Sequence, residues 1–289
     1  MFEKIVGNEQ NKIILEDSIK KHNFVNSYMF VGNEGIGKEK FAEEFAKNIM
    51  CLKDGNCNDT CESCIKFEAR TNPDFIKLDK NEKGIISIEM IRSLQDEIIK
   101  KPIISDHKVC IINDADLMNE SAQNCFLKTL EEPPKYMVII LIVSNESKML
   151  QTIKSRCVKI NFKKLSDNEI KKILTNADAE TLTMLDGSMA NIENLDKRRE
   201  EYEQLKNLIS DLKNCSMAEI FNKADLLYNK KDDIMELLNL TNIILFDERL
   251  YDGCEIVEKT KVKIDNNNNY TMCIDYLLMN LYDIINKTR

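Results

Sequence analysis

The sequence predicts an α/β domain built on a parallel sheet, followed by domains that are entirely helical. Short apolar, β-branched segments alternate with helical patterns as far as Phe162, which is typical of crossover units on a parallel sheet. A glycine-rich loop follows the first of these segments and precedes an amphipathic helix. After Phe162 no further strand is predicted and the patterns are helical.

The five predicted strands share a short, apolar, β-branched composition. They are SYMFV (27–31), DFIKL (74–78), KVCIIN (108–113), MVIILIV (137–143) and CVKINF (157–162). Between the first two, Phe41, Phe45 and Ile49 recur at four-residue spacing and form one face of a helix. Another helix begins at a capping Asn119 and stops before Pro133. These helices are placed to connect parallel strands.

The helical part of the chain carries its own start and stop signals. Two capping-box patterns begin at Ser166 and at Ser216, and Gly187 can end a helix in a left-handed conformation. We place domain boundaries near residues 163 and 205. The expected parts are an α/β domain at 1–162, a small helical domain at 163–205 and a helical C-terminal domain at 206–289.

Composition restricts the function classes. The chain has 41 Lys and Arg residues against 49 Asp and Glu residues, so its net charge of −8 disfavours a protein that grips duplex DNA through phosphate neutralisation. The first residues contain no apolar signal segment, and the longest strongly apolar run, MVIILIV, is too short to span a bilayer. We expect a cytoplasmic protein. In that compartment, the ten cysteines are expected to be reduced thiols or metal ligands.

The stretch FVGNEGIGKEKF nearly completes a phosphate-binding loop. Gly32, Gly37 and Lys38 satisfy the pattern G-x-x-x-x-G-K-[ST], and Gly35 lies within it. Backbone N–H groups of such a loop cradle anions, and Lys38 adds a positive charge for β- and γ-phosphates. The alternative is a glycine-rich turn that never binds a nucleotide.

Two departures weaken the prediction of an ATPase. Glu39 stands where a Ser or Thr hydroxyl would bind Mg²⁺, and it brings another negative charge towards the triphosphate. After the strand at 108–113, where two acids would hold the metal and position water, the residues are Asn113 and Asp114. Asp114 and Asp116 fit solvated acids that cap a turn as well as they fit catalysis. We therefore expect no hydrolysis, and ATP binding by this chain is disfavoured.

Four cysteines lie close together in a polar loop. Cys51, Cys57, Cys61 and Cys64 have the spacing C-x5-C-x3-C-x2-C, with Asn and Asp residues between them. Four thiolates on such a loop suit a closed, tetrahedral Zn²⁺ site, and the metal would supply the order that an apolar core cannot. The alternative is a set of free thiols in a surface loop. A catalytic zinc is disfavoured, because no ligand position is left open.

These motifs together resemble a known family. Ser155-Arg156-Cys157, LKTLEEPP at 127–134, the degenerate loop and the cysteine insertion after the first P-loop helix resemble the bacterial clamp-loader subunits of the AAA+ class, which are related to replication factor C. Motor subunits of the family, gamma and tau, have an intact loop, an intact acidic pair and a lid arginine where this chain has Ala190. The three departures favour the delta prime branch of DNA polymerase III subunits. The cysteine spacing differs from the commoner C-x8-C-x2-C-x2-C of the family.

The resemblance implies an architecture and a set of partners. It implies an AAA+ domain, a helical lid and a helical collar domain in a hetero-pentameric ring with gamma or tau motor subunits and a delta subunit. That ring opens a sliding clamp and places it on primed DNA. The resemblance also implies that Arg156 reaches the ATP site of the neighbouring subunit; the alternative for Arg156 is a surface ion pair.

Two rival functions remain open at this point. One is a self-sufficient AAA+ ATPase, a motor subunit that tolerates Glu39. The other is a stand-alone DNA-binding module that uses the cysteine loop as a zinc knuckle. The loop contains one Lys beside three acids and no aromatic residue, which argues against the second.

Overall fold

The computed structural model describes residues 1–266 and 268–287, the last of these by its backbone alone. The chain forms two compact units. One unit contains Met1–Ile173 together with Gly187–Ala190, and the other contains Leu174–Asp186 and the chain from Asn191 onward.

The first unit is an α/β unit with a five-stranded parallel sheet in the order β2-β3-β4-β1-β5. Its strands are β1 (Ser27–Val31), β2 (Phe75–Leu78), β3 (Lys108–Ile112), β4 (Met137–Val143) and β5 (Val158–Asn161). Its helices are α1 (Glu9–Lys20), α2 (Lys38–Ile49), α3 (Glu62–Glu68), α4 (Ile88–Ile98), α5 (Glu120–Glu131), α6 (Gln151–Lys154) and α7 (Asp167–Ile173), with short 3₁₀ helices at Ala115–Leu117 and Glu146–Lys148. The predicted α/β class and all five predicted strands are confirmed.

The sheet is buried on both faces, which explains the continuous apolar sequence of β4. Val138, Ile140 and Ile142 join a core cluster with the buried phenylalanines of α2. The alternate residues Ile139 and Leu141 join a second cluster with residues of α4 and α5. A parallel strand covered by helices on both sides needs apolar side chains at every position rather than at alternate ones.

The topology determines where the sequence motifs meet. Because the strands are parallel, their carboxyl ends lie at one edge of the sheet. The glycine-rich loop follows β1, Asn113 follows β3 and Ser144 follows β4, so all three lie at this edge. Residues that precede a strand lie at the opposite edge, and Arg156, two residues before β5, is one of them.

The second unit is helical. The helical segments beyond α7 are α8 (Ala179–Leu185), α9 (Met189–Glu193), α10 (Leu195–Leu212), α11 (Met217–Lys223), α12 (Asp225–Asn229), α13 (Ile234–Asp247), α14 (Tyr251–Asp265) and α15 (Tyr270–Lys287). The predicted capping box at Ser216 with Glu219 forms, and at Ser166 the Glu169 carboxylate accepts from the backbone N–H and the hydroxyl of Ser166. Asp186 and Gly187 end α8 with positive φ angles of 47° and 69°.

The predicted domain boundaries can be placed on these elements. The α/β unit continues past residue 163 to Ile173, and residue 205 lies within the continuous helix α10. The division of the helical part into a lid and a collar domain stays a prediction. Within residues 1–266 and 268–287, we find no helix that combines the length and the apolar character needed to cross a membrane.

Candidate functional site: a phosphate loop, a cysteine cluster and an exposed arginine

The glycine-rich loop between β1 and α2 depends on its glycines for the fold itself. Gly35 and Gly37 have φ angles of +73° and +89°, which residues other than glycine rarely adopt. A Cβ atom on Gly35 would lie 2.7 Å from Oγ of Ser188, and one on Gly32 would lie 2.7 Å from the carbonyl oxygen of Phe162. These glycines would therefore be required whether or not a nucleotide ever binds.

Lys38 is buried and bonded to its own loop. Its Nζ donates to the carbonyl oxygens of Gly32 and Asn33 at 2.6 and 2.5 Å and lies 3.2 Å from Oγ of Ser144. Burial lowers the pKa of Lys38, against the pull of Glu34, Asp114 and Asp116. To meet a phosphate, the ammonium would have to give up bonds that it already makes.

The segment Gly187–Ala190 contacts the loop within the α/β unit. The backbone N–H of Ala190 donates to the carbonyl oxygen of Gly35 at 2.9 Å, and Oγ of Ser188 lies 3.2 Å from the same oxygen. The position at which motor subunits are expected to carry an arginine is thus next to the loop. In this chain the position is occupied by Ala190, which has only a methyl side chain and contacts the loop through a backbone hydrogen bond.

Glu39 belongs to a network of charged side chains. One of its carboxylate oxygens accepts a hydrogen bond from Lys77 Nζ, and the other lies 3.3 Å from Nδ2 of Asn113. Lys77 also lies 3.4 Å from Glu43, whose carboxylate makes two 2.8 Å bonds with Arg70. An ammonium is therefore the cation beside Glu39 and Asn113, the two positions that would hold Mg²⁺ in an ATPase.

The two aspartates after β3 have different roles. Asp114 has a left-handed backbone conformation and pairs with Lys80 at 3.2 Å. Asp116 is buried, and its carboxylate accepts hydrogen bonds from the backbone N–H groups of Ser144 and Asn145 at 3.0 and 3.2 Å. The interpretation of Asp116 as a solvated acid is wrong, because its carboxylate ties the end of β3 to the end of β4.

The four clustered cysteines of the second motif come together. Their Sγ atoms all lie within 4.8 Å of one another, and the four side chains are buried. Three of the separations are 3.3 Å for Cys51 to Cys57, 3.5 Å for Cys57 to Cys64 and 4.0 Å for Cys51 to Cys61. A tetrahedral zinc centre with Zn–S bonds of 2.3 Å places its sulfurs about 3.8 Å apart.

The chemistry of this donor set fits a metal ion. Burial raises the pKa of Cys51 and Cys64, whereas burial of Cys57 is outweighed by hydrogen bonds from the Cys61 backbone and from the neighbouring thiols, which lower the pKa of Cys57. The four thiols would therefore not all ionise together without a cation. The loop around them supports the spacing: the carbonyl oxygen of Cys57 accepts from the backbone N–H of Thr60, and that of Cys61 accepts from Ile65 in the first turn of α3. The four cysteines could thus hold one metal ion.

A buried lysine fastens the cysteine loop to α2. Lys47 Nζ lies 3.0 Å from carboxylates of Asp59 in the loop and Glu68 in α3, and 3.2 Å from Glu44. Burial alone would lower the pKa of Lys47, but these three carboxylates outweigh burial and raise it. In the sequence Lys47 is one of three lysines on an amphipathic helix, and no motif distinguishes it.

Arg156 lies at the amino edge of the sheet. Its side chain is 32% exposed, and its guanidinium bonds to Glu131 Oε1 at 2.6 Å and to the carbonyl oxygen of Thr152 at 2.7 Å. The loop of this chain lies at the opposite, carboxyl edge. Arg156 is therefore not brought together with Lys38, Glu39 or Asn113, which do lie together.

The parallel sheet, the glycine-rich loop between β1 and α2 and the helical second unit define a P-loop protein of AAA+ type. A family model described as "DNA polymerase III, delta subunit" matches residues 7–166, more than half of the chain. The chain belongs to this family. Together with delta prime relatives that are 34% and 35% identical, this match confirms the predicted resemblance to delta prime clamp-loader subunits.

Individual relatives agree with this assignment. The delta prime subunit of DNA polymerase III from Bacillus subtilis is 34% identical over 57% of this chain and 50% of its own length. The tau/gamma subunit from Haemophilus influenzae is 31% identical over 60% of this chain but 25% of its own length, so the chain matches half or less of these relatives. A crystal structure of a DNA polymerase III gamma subunit-related protein from Thermotoga maritima, 17% identical, covers 94% of this chain and 99% of its own with a TM-score of 0.53, which shows the fold alone.

Proposed function

We propose that the chain is a non-hydrolysing, delta prime-type member of a cytoplasmic clamp loader. It assembles with gamma or tau motor subunits and a delta subunit in a ring of five, and through the ring it helps to open a sliding clamp and place it on primed DNA. Its cysteine cluster holds a structural Zn²⁺ through Cys51, Cys57, Cys61 and Cys64. Its Arg156 completes the ATP site of the neighbouring subunit.

The charged network at the carboxyl edge supports the absence of hydrolysis. Phosphoryl transfer in P-loop proteins needs Mg²⁺ held by the loop hydroxyl and by an acid at the end of a strand. Here the two positions are Glu39 and Asn113, and the neighbouring cation is the ammonium of Lys77. A divalent ion at this place would have to displace Lys77 and would have no hydroxyl ligand.

Lys38 supports the same conclusion for nucleotide binding. Lys38 donates hydrogen bonds of 2.6 and 2.5 Å to carbonyl oxygens of its own loop. A triphosphate would have to displace these bonds before its oxygens could accept from Lys38. Glu39 next to it adds repulsion towards the phosphates. The alternative function, an active motor subunit, would require Lys38 to exchange these bonds for phosphate oxygens and would require the repulsion from Glu39 to be overcome.

The observation that carries the proposal is the place of Arg156 in the topology. It precedes β5, whereas the phosphate loop of this chain follows β1, and β1 and β5 are adjacent parallel strands. Arg156 and the loop therefore lie at opposite edges of one sheet, so the arginine cannot serve its own loop. A partly exposed guanidinium at that edge is available to another subunit.

The physical case for such an arginine rests on transition-state charge. Phosphoryl transfer builds negative charge on the γ-phosphate oxygens, and a fixed guanidinium there is worth about 10³ to 10⁵ in rate. Its planar fork reaches two oxygens at once, which an ammonium does not. Arg156→Lys should therefore behave much like Arg156→Ala.

The test is a reconstituted ring that carries Arg156→Ala, assayed for assembly, ATP binding and DNA-stimulated hydrolysis. We expect assembly and ATP binding to persist, with hydrolysis and clamp loading reduced in part, because one of several sites loses its arginine. Lys154→Ala, which removes a neighbouring positive charge, serves as the matched control and should behave like the wild type. Hydrolysis and loading at wild-type rates in the Arg156→Ala ring would refute the role.

A further inference from the structure

Two groups hold the Arg156 guanidinium. NH2 donates to Oε1 of Glu131 at 2.6 Å, and NH1 donates to the carbonyl oxygen of Thr152 at 2.7 Å. Glu131 is the last residue of α5, and Thr152 lies in α6. The two holders therefore come from different helices, and together they determine the plane of the guanidinium as well as its position.

We propose that Glu131 is a positioning residue that sets the orientation of Arg156 for the ATP site of the neighbouring subunit. This inference rests on the proposed function, because it assigns to Glu131 a role that exists only if Arg156 acts in that site. Glu131 itself does not meet the nucleotide. It acts through the hydrogen bond that it accepts from Arg156.

Arg156 has enough N–H donors to bind phosphate oxygens while it is bonded to Glu131 and Thr152. A guanidinium has five N–H groups in a fixed planar fork. Glu131 and Thr152 each take one of them, so three N–H groups remain for phosphate oxygens. Positioning by Glu131 thus does not consume the recognition capacity of Arg156.

The support beneath Glu131 is rigid. In the last turns of α5, Leu130 is buried, and Nε2 of Gln95 from α4 donates to the carbonyl oxygen of Cys125 and to Oγ1 of Thr129. Pro133 and Pro134 follow after Glu132 and prevent the helix from continuing. Glu131 therefore projects from a helix end whose position is fixed by packing.

The same helix also fixes the second holder. Oε1 of Gln123 in α5 accepts from the backbone N–H of Leu150, the residue before α6, and Ile153 within α6 is fully buried. Helix α5 thus supports Arg156 twice, directly through Glu131 and indirectly through α6. An arginine on a free surface loop would lack this arrangement, and a misplacement of 1 Å can cost about 10²-fold in rate.

A carboxylate beside a guanidinium has a second, opposing effect, since it offsets part of the positive charge that the transition state needs. Substitution separates the two effects. Glu131→Gln keeps an oxygen that accepts from Arg156 but removes the charge, whereas Glu131→Ala removes both. If positioning dominates, the Ala variant is impaired and the Gln variant is not.

The experiment uses the reconstituted ring with Glu131→Ala, Glu131→Gln, and Glu132→Ala as the control at the adjacent exposed glutamate. We expect Glu131→Ala to lower turnover at the affected site about tenfold with an unchanged KM for ATP. The Gln variant and the control should hydrolyse at the wild-type rate. A ring carrying both Glu131→Ala and Arg156→Ala should be no slower than one carrying Arg156→Ala alone, because the two residues act as one unit.

The outcomes separate this inference from the proposed function. A defect in Arg156→Ala without one in Glu131→Ala leaves the function standing and removes the positioning role. Equal losses in the Gln and Ala variants, faster turnover in Glu131→Ala, or failure of Glu131→Ala to enter the ring would each overturn it too. A silent Arg156→Ala would instead remove the function on which the inference rests.

Discussion

Glu39 and Asn113 contact each other, with Nδ2 of Asn113 3.3 Å from Oε2 of Glu39. The Asn113 amide also lies 3.2 Å from Oδ1 of Asp79, and the other oxygen of Glu39 pairs with Lys77. Two departures from the ATPase pattern that are far apart in the sequence are thus neighbours that support one another. Restoring the ATPase residue at one of these two positions leaves the other departure in place, together with its contacts to Lys77 or Asp79.

We expect the isolated chain to hydrolyse no ATP above background, and Glu39→Thr alone to leave it inactive. The substitution supplies the missing hydroxyl and removes a partner of Lys77, but Asn113 still offers no carboxylate to Mg²⁺. Phosphate release from highly purified protein, with and without Mg²⁺, measures this. Robust turnover by the unmodified chain would favour the motor-subunit function instead.

Metal analysis should find one zinc ion per chain in protein purified without added zinc. Cys61→Ser should lose this ion and make residues 51–64 sensitive to protease, because the metal supplies the order of a polar loop. Cys215→Ser, outside the cluster, is the control and should keep the metal. A metal-free wild type whose loop resists proteolysis as well as the metal-loaded protein would contradict the zinc site.

Lys47→Met should loosen the attachment of the cysteine loop to α2. The change leaves the carboxylates of Asp59, Glu68 and Glu44 facing an apolar side chain, and because these are partly exposed we expect a loss of about 1–2 kcal/mol in the free energy of unfolding. Urea denaturation and limited proteolysis measure the two effects. Lys66→Met removes an exposed pair with Glu62 and should cost less than half as much.

We expect the free energy of unfolding to fall at acidic pH because of Asp74. Its buried carboxylate accepts hydrogen bonds from the backbone N–H groups of Ile103, Ile104 and Ser105 and from Oγ of Ser105. Burial alone would raise the pKa of Asp74, but these donors outweigh burial and hold it below its ordinary value.

The sign of the effect follows from the lowered pKa. The ionised carboxylate contributes stability above the unfolded-state pKa of about 3.9, and that contribution is lost as the pH falls through the lower folded-state pKa. Asp74→Asn should cost about 2–3 kcal/mol at neutral pH and flatten the acid side of the stability curve. Equal curves for Asp74→Asn and the wild type would show that the bonds contribute nothing.

Local sequence patterns predict those features of the fold that depend on residues close together in the chain. Short apolar runs gave the five strands, and the caps at Asn119, Ser166 and Ser216 are found where the sequence placed them. The proximity of the four cysteines could also be predicted, because they lie within fourteen residues. These features depend on neighbours in the chain.

The partners of charged side chains could not be predicted in this way. Lys77 meets Glu39 across 38 positions and Glu131 meets Arg156 across 25, and neither pair has a signature in spacing or composition. The role of Asp116 could not be predicted for the same reason, since its partners follow a different strand. Such contacts arise only once the parallel strands are in order.

The bonds of Lys38 have a consequence for timing. In a P-loop ATPase the loop lysine contacts the β- and γ-phosphates, so the arrival and loss of ATP change its partners. Here the lysine already bonds to Gly32, Asn33 and Ser144. If the chain is the non-hydrolysing ring member that we propose, its loop keeps these partners before and after each turnover of a neighbour, and the order of events in clamp loading is determined by the other members.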